Sequence, residues 1–147
     1  MPNWKRAYGP DGLLQYQTFI PEAAAQAVFT AQVERCQHAG QIPLLGVFKR
    51  HRADRFLMSH GLDGYSLALD FRRTRENHDA LLRLFAEMDR DVIASGGRFY
   101  FAKDSHLHPS RLAPFFAEAR VQRFFEIKRE MDPDGLFQTD LWRRIFS

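Results

Sequence analysis

Residues 65–71 alternate strictly between large apolar and small or polar side chains. The apolar set is Tyr65, Leu67, Leu69 and Phe71, and the other set is Ser66, Ala68 and Asp70. Because successive side chains of a β-strand point to opposite faces, this pattern predicts a strand in a sheet with one covered face and one open face. The rest of the chain must supply the cover for the apolar face.

Three further segments have strand patterns. Residues 13–20 place Leu14, Tyr16 and Ile20 on one side, and Gln15 and Gln17 on the other. Residues 42–50 are short, apolar and bounded by breakers, and Lys49 lies on the same side as Val47 and Leu45. Residues 97–105 start on the glycine pair Gly96–Gly97 and predict an aromatic strand that places Lys103 at its end.

Two helices are predicted from apolar residues that recur at spacings of three and four. The first follows Pro21 and ends at Gly40, with the stripe Ala25, Val28, Phe29, Val33 and Cys36. Thr74 is predicted to cap the second, whose stripe is Leu81, Leu84, Phe85, Met88 and Val92. The single cysteine lies on an apolar stripe, which predicts a packing role rather than a reactive thiol.

The predicted order is strand, helix, two strands, helix, strand, which is the ferredoxin-like βαββαβ arrangement of an α+β fold. In this fold both helices cover one face of an antiparallel sheet. The open face is predicted to carry Gln15, Gln17, Lys49, Ser66, Ala68 and Asp70. Such side chains suit a ligand-contacting surface, but a solvated sheet face would have the same composition.

Residues 106–147 are predicted to form a helical extension of the α+β domain formed by residues 1–105. One helix is predicted to begin at Pro109 and to include Leu112, Phe115 and Phe116, and a second covers residues 124–131. A final apolar group comprises Leu136, Phe137, Leu141, Trp142, Ile145 and Phe146. So many apolar groups must pack on this domain or on a partner.

Composition excludes several functional classes. The net charge of +3 and the scattered basic residues argue against a nucleic-acid binder. One cysteine permits neither an internal disulfide nor a thiolate zinc site, and His106 and His108 have no third ligand at a recognisable spacing, so surface histidines are predicted rather than a metal site. Neither a signal peptide nor a membrane span is recognisable, so we expect a cytoplasmic chain.

Lys103 is the first candidate for chemistry, because a rigid element would deliver its primary amine beside Asp104 and Ser105. The alternative is a solvated lysine at the end of an edge strand. No phosphate-binding glycine loop or nucleophile elbow accompanies it. The residues by themselves therefore predict a scaffold with a polar sheet face and a lysine.

Several short motifs occur along the chain in the same order as in a known protein family, and together they cover nearly its whole length. They are Tyr8–Pro10, Gln15–Gln17, Val47–Lys49, Asp70–Phe71, Gly96–Ser105 and Met131–Arg144. In them the chain resembles the C-terminal half of FAD-linked oxidases of the vanillyl-alcohol oxidase superfamily, of the decaprenylphosphoryl-ribose oxidase and aldonolactone oxidase types. Aldonolactone oxidases typically have His-Trp-Gly-Lys where this chain has Tyr100–Lys103.

The resemblance implies FAD as the cofactor and a sugar hydroxyl or aldonolactone as the substrate. It assigns Lys103 as the catalytic residue, and Lys103 with Tyr100 as the residues at the flavin. Substrate-binding positions implied by it are Gln15, Gln17, Lys49 and Tyr100. Ala68 stands where mycobacterial members carry a cysteine, which leaves the substrate open.

Nothing in the chain corresponds to the family's N-terminal FAD-binding domain, so another polypeptide or region is expected to supply the flavin. The alternative is a non-catalytic remnant or interaction module that binds no flavin by itself. We also expect a homodimer that buries residues 136–146 or the edge of the sheet. A compact monomer, with the tail folded back on its own sheet, is the competing outcome.

Overall fold

The computed structural model of the chain describes residues 3–103, 106–109 and 116–146. After a 3-10 turn at Trp4–Tyr8, the elements are β1 (Leu13–Pro21), α1 (Glu22–His38), β2 (Leu45–His51), β3 (Gly64–Arg72), α2 (His78–Ala94), β4 (Arg98–Phe99), α3 (Glu118–Met131) and α4 (Asp140–Ile145).

The four strands form one antiparallel sheet in the order β2-β3-β1-β4. This arrangement confirms the predicted α+β, ferredoxin-like fold. The register places Gln15 opposite Asp70, and Gln17 opposite Ala68. On the other side of β3, Lys49 lies opposite Ser66.

The core lies between the sheet and the two long helices. The predicted core side of β1 is buried, as is the whole predicted stripe of α2. Leu107, Phe116 and Ile145 belong to the same buried cluster, so described parts of the C-terminal segment pack on this core. Cys36 is buried as predicted, and burial raises the pKa of its thiol to about 11, which makes it a packing residue.

Two predictions about the helices are wrong in detail. On α1, Val33 is 42% exposed and Gln32 is fully buried, so the packed stripe is displaced by one residue there. Thr74 does not cap α2: its hydroxyl accepts from Asn77 N at 3.2 Å, and its own N–H donates to Asn77 Oδ1 at 2.8 Å. This reciprocal pair closes a turn before the helix begins at His78.

The fourth strand is much shorter than predicted. Among the described residues of this segment, only Arg98 and Phe99 pair with β1 in the sheet, and Tyr100 N adds one bond to Gln17 O at 3.2 Å. The chain then turns, with Lys103 N donating to Tyr100 O at 3.0 Å. Lys103 therefore lies on a turn after the strand, because Phe101 leaves the sheet to contact Phe116 and Phe146.

The C-terminal segment is described only in part. Residues Leu112 and Phe115 of the helix predicted after Pro109 lie outside the described residues, and Phe116 is a buried residue in a bend. The second predicted helix is confirmed as α3. In the described part of the chain, no helix has the length and hydropathy needed to cross a membrane.

Gly64→Ala is expected to destabilise the fold. A Cβ at Gly64 would lie 2.1 Å from the Ile20 carbonyl oxygen, which is backbone in the next strand and cannot move aside. Gly46→Ala is the matched control, since its nearest contact would be Leu69 Cδ2 at 3.7 Å. We expect urea denaturation to show a loss of about 1–3 kcal/mol for Gly64→Ala. Equal stabilities of the two variants would contradict the close backbone contact described here between the paired strands β1 and β3.

Candidate functional site

The open face of the sheet holds a pocket of about 310 Å³. All of the residues that the sequence singled out as a site contribute to its lining, namely Gln15, Gln17, Lys49, Tyr100 and Lys103, together with Ala68. The pocket also has lining residues that sequence reasoning did not select: Phe19, Val47, His51 and His60. The structure thus brings the predicted residues to one place, while their roles stay predictions.

Gln15 is held in the pocket by Asp70 of the neighbouring strand. Its amide Nε2 donates to Asp70 Oδ1, and Tyr8 donates its hydroxyl to Asp70 Oδ2 at 3.2 Å. Burial and the Asp70 carboxylate raise the pKa of the Tyr8 hydroxyl. The Oε1 atom of Gln15 is buried and accepts no hydrogen bond from the described residues, so it is an acceptor that a bound hydroxyl could satisfy.

Ser66 was predicted to lie on the open face, and its side chain is fully buried under His51. The hydroxyl of Ser66 and Nε2 of His51 are 2.8 Å apart. The polar residues of β3 therefore act as partners of lining residues: Ser66 pairs with His51, and Asp70 pairs with Gln15. Ala68 between them leaves open space in the centre of the strand.

Phe19 forms the aromatic floor of the pocket, and it was not among the predicted site residues. Its ring centroid lies 4.8 Å from that of His51 and 4.5 Å from that of His60. Tyr100 meets the His60 ring edge to face at 4.7 Å. The signal was present in β1, because alternation puts Phe19 on the same side as Gln15 and Gln17.

The loop between β2 and β3 is held in place by specific hydrogen bonds. One Nη of Arg98 donates to the carbonyl oxygens of Ser59 and Gly61, both at 2.9 Å. Ser59 donates its hydroxyl to Asp54 Oδ2 at 2.6 Å and accepts from Gly61 N at 2.7 Å. That hydroxyl and the Phe56 N–H lower the pKa of the Asp54 carboxyl.

The pocket favours electron-rich ligands. The described lining residues include Lys49 and Lys103 and no carboxylate. Burial lowers the pKa of His51, with further lowering from the charges of His60, Lys49 and Arg50. Burial also lowers the pKa of His60, and Arg98 adds to this while Asp54 opposes it. Two neutral imidazoles are thus placed beside two ammonium groups at neutral pH.

The prediction that His106 and His108 are both surface histidines is wrong for His106. His106 is not a surface residue: its side chain is 9% exposed, packs near the rings of Tyr16 and Phe85, and lies 3.3 Å from Asp89 Oδ1. His108 is exposed. Among the described residues no group of three potential ligands could hold a metal ion.

The fold and this lining define an α+β domain with a cationic, aromatic pocket on its open sheet face. No family model matches the chain. It is 33% identical over 143 residues, 97% of its length, to a decaprenylphosphoryl-β-D-ribose oxidase of Mycolicibacterium smegmatis, of which it spans 30%. An uncharacterized Streptomyces coelicolor protein from the mprA 5′ region is 35% identical over 82 residues, 56% of this chain and 20% of that protein. The chain is therefore related to a region of an oxidase.

The stability of the fold is expected to fall as His51 and His60 become protonated. Both have pKa values below the ordinary 6.5, so between about pH 7.5 and about pH 5 the unfolded chain binds more protons than the folded chain. The free energy of unfolding must then decrease as the pH falls through 6.5 and below. His60→Gln removes one of these groups, and its urea stability should decrease less over this interval than that of the wild type.

His38→Gln is the control for this comparison, since His38 is exposed at the end of α1. Its pH dependence should follow the wild type. Identical pH dependence in the wild type and in His60→Gln would contradict the low pKa of His60.

Proposed function

We propose that this chain is the substrate-binding portion of an FAD-dependent oxidoreductase that oxidises a sugar hydroxyl or an aldonolactone by hydride transfer to flavin. The observation that carries the proposal is the convergence of Gln15, Gln17, Lys49, Tyr100 and Lys103 on one pocket. The similarity to an oxidase along 97% of the chain supports the same reading. The chain spans 30% of that relative, and we propose for it the substrate-binding part of the activity.

The lining residues fit a flavin and a hydroxyl-bearing substrate together. Reduced flavin is electron-rich, and Lys103 and Tyr100 offer an ammonium and a hydroxyl at one end of the pocket, so these residues would hold the flavin. The orphaned Oε1 of Gln15 suits a substrate hydroxyl. When bound, FAD would supply the hydride acceptor.

The chain's own residues would bind and orient the substrate. Gln17 of β1 lies opposite Ala68 and Lys49 of β2 lies opposite Ser66, and both can donate hydrogen bonds to hydroxyl or phosphate oxygens. Lys103 would place a positive charge where electron density accumulates during the reaction. The floor formed by Phe19 keeps water from one side of the pocket.

Lys103→Ala is expected to slow flavin reduction. The test uses a chimera in which this chain replaces the matching region of the mycobacterial oxidase, loaded with FAD and mixed anaerobically with D-ribose or D-ribono-1,4-lactone. Loss of one preorganised charge should reduce the rate about 10²-fold. Arg83→Ala, on the exposed side of α2, should have no effect. Equal rates in the wild type and in Lys103→Ala would remove Lys103 from the mechanism.

A second candidate is a non-catalytic interaction module that pairs with a copy of itself. The observation that favours it is the apolar edge of the sheet: Leu44, Leu45 and Phe48 are 52%, 49% and 58% exposed. Within the ranges that the structure describes, strand β2 has a neighbour on one side only, so its outer backbone groups can pair with another strand. A two-fold arrangement of two β2 strands would bury this edge.

Phe48→Glu is expected to convert such a dimer into a monomer, because it places a charge in the paired edge. Light scattering across a dilution series measures the mass. Phe137→Glu is the control, since Phe137 is 75% exposed on the other candidate surface, residues 136–146. A monomeric wild type at tens of micromolar would overturn self-association, and dissociation by Phe137→Glu alone would move the interface to the tail.

A further inference from the structure

His60 occupies a distinctive position in the pocket. Its ring lies against Phe19 and Tyr100, and it contributes to the same lining as Lys103. Among the described residues, neither ring nitrogen of His60 is hydrogen-bonded to a side chain or to the backbone. His51, by contrast, has its Nε2 engaged with Ser66. In the described part of the chain, His60 is thus the lining imidazole that has both ring nitrogens free for a ligand, whereas His51 has one of them engaged.

The backbone on both sides of His60 is fixed by Arg98. The guanidinium donates to the carbonyl oxygens of the preceding and following residues, Ser59 and Gly61. The loop cannot easily accept a larger residue at Gly61, where a Cβ would lie 2.3 Å from Asp54 Oδ2. The backbone at His60 is thus held on both sides, and its ring packs against Phe19 and Tyr100, which gives the imidazole the defined position that proton transfer requires.

Among the described lining residues, His51 already has its Nε2 paired with Ser66, and the remaining groups are poor proton acceptors. The ammonium groups of Lys49 and Lys103 have no free lone pair in their charged form, and amides such as Gln15 and Gln17 are not bases. Tyr100 carries a hydroxyl that must first lose its own proton. His60 offers an unprotonated nitrogen at neutral pH, because burial lowers its pKa.

We infer that His60 is the catalytic residue that accepts the proton of the substrate hydroxyl, and that Arg98 is the positioning residue that holds it. This inference rests on the proposed function. The carbinol C–H bond breaks and its electron pair leaves as hydride to the oxidised flavin. The O–H bond breaks, its proton goes to His60, and the electrons left on oxygen form the carbonyl double bond.

Charges around the site set the pH dependence of this step. The groups that face His60 from neighbouring elements are Lys49 and His51 of β2, Asp54 of the loop, Arg98 of β4, and Tyr100 and Lys103 after it. Burial and the charge of Arg98 disfavour protonation of His60, whereas the carboxylate of Asp54 favours it. The rate should therefore rise with pH through the low pKa of His60 and then level off.

The test measures anaerobic flavin reduction in the FAD-loaded chimera with D-ribose and with D-ribono-1,4-lactone as probes. His60→Gln should slow reduction about 10²-fold or more, leave the concentration dependence on the probe unchanged, and abolish the rise with pH. His38→Gln, far from the pocket, should behave as wild type. Arg98→Met should slow reduction, and Arg98→Lys should restore part of the rate.

A second measurement uses the wild type and does not depend on the folding of any variant. Proton NMR of the histidine rings in the full chain gives the pKa of His60, and the wild-type rate must rise with an inflection at that value. A wild type that reduces flavin with no such inflection, or a folded His60→Gln variant with the wild-type rate and pH profile, overturns the inference and leaves the proposed function standing. Failure of both probes to reduce the flavin overturns the proposed function itself, and the inference with it.

Discussion

Strand β1 pairs with β3 on one side and with β4 on the other, and this pairing sets the position of both the core and the pocket. The alternating side chains of β1 place Leu14, Tyr16 and Ile20 in the helix-covered core. The intervening residues, Gln15, Gln17 and Phe19, then face the open side and form the pocket. Because side-chain direction has a period of two, a shift of one residue in this strand would exchange core and pocket.

The open face depends equally on contacts from outside the sheet. Arg98 reaches across to the loop between β2 and β3, and Phe101 contacts Phe116 and Phe146 of the C-terminal segment. These contacts bring His60 and Lys103 to the lining of the same pocket. The site is therefore a product of the sheet, one loop and the tail together.

The regular elements were predictable because each carries its own periodicity. The stripe of α2 and the alternation of β1 and β3 are local patterns, and the βαββαβ order follows from them. The displaced stripe of α1 was not predictable, since the burial of Gln32 depends on tertiary packing. Likewise, the early end of β4 is caused by the contacts of Phe101 with residues distant in the chain.

The candidate site was predictable only in part for a related physical reason. Gln15, Gln17 and Lys49 lie on strands whose faces can be read from sequence, whereas His60 lies on a loop without periodicity. Its position is set by hydrogen bonds from Arg98 to backbone carbonyls, which leave no sequence pattern. His51 could have been found, because it follows Lys49 by two residues on the same face of β2.

The proposed function requires that the flavin meets the open face of the sheet. A crystal structure of the FAD-loaded chimera would show which face the flavin contacts. We expect the flavin ring over the pocket, within hydrogen-bonding distance, about 3 Å, of the Lys103 or Tyr100 side chain. A flavin bound on the helix-covered side, or with the pocket of Gln17, Lys49 and Lys103 facing bulk solvent, would contradict it.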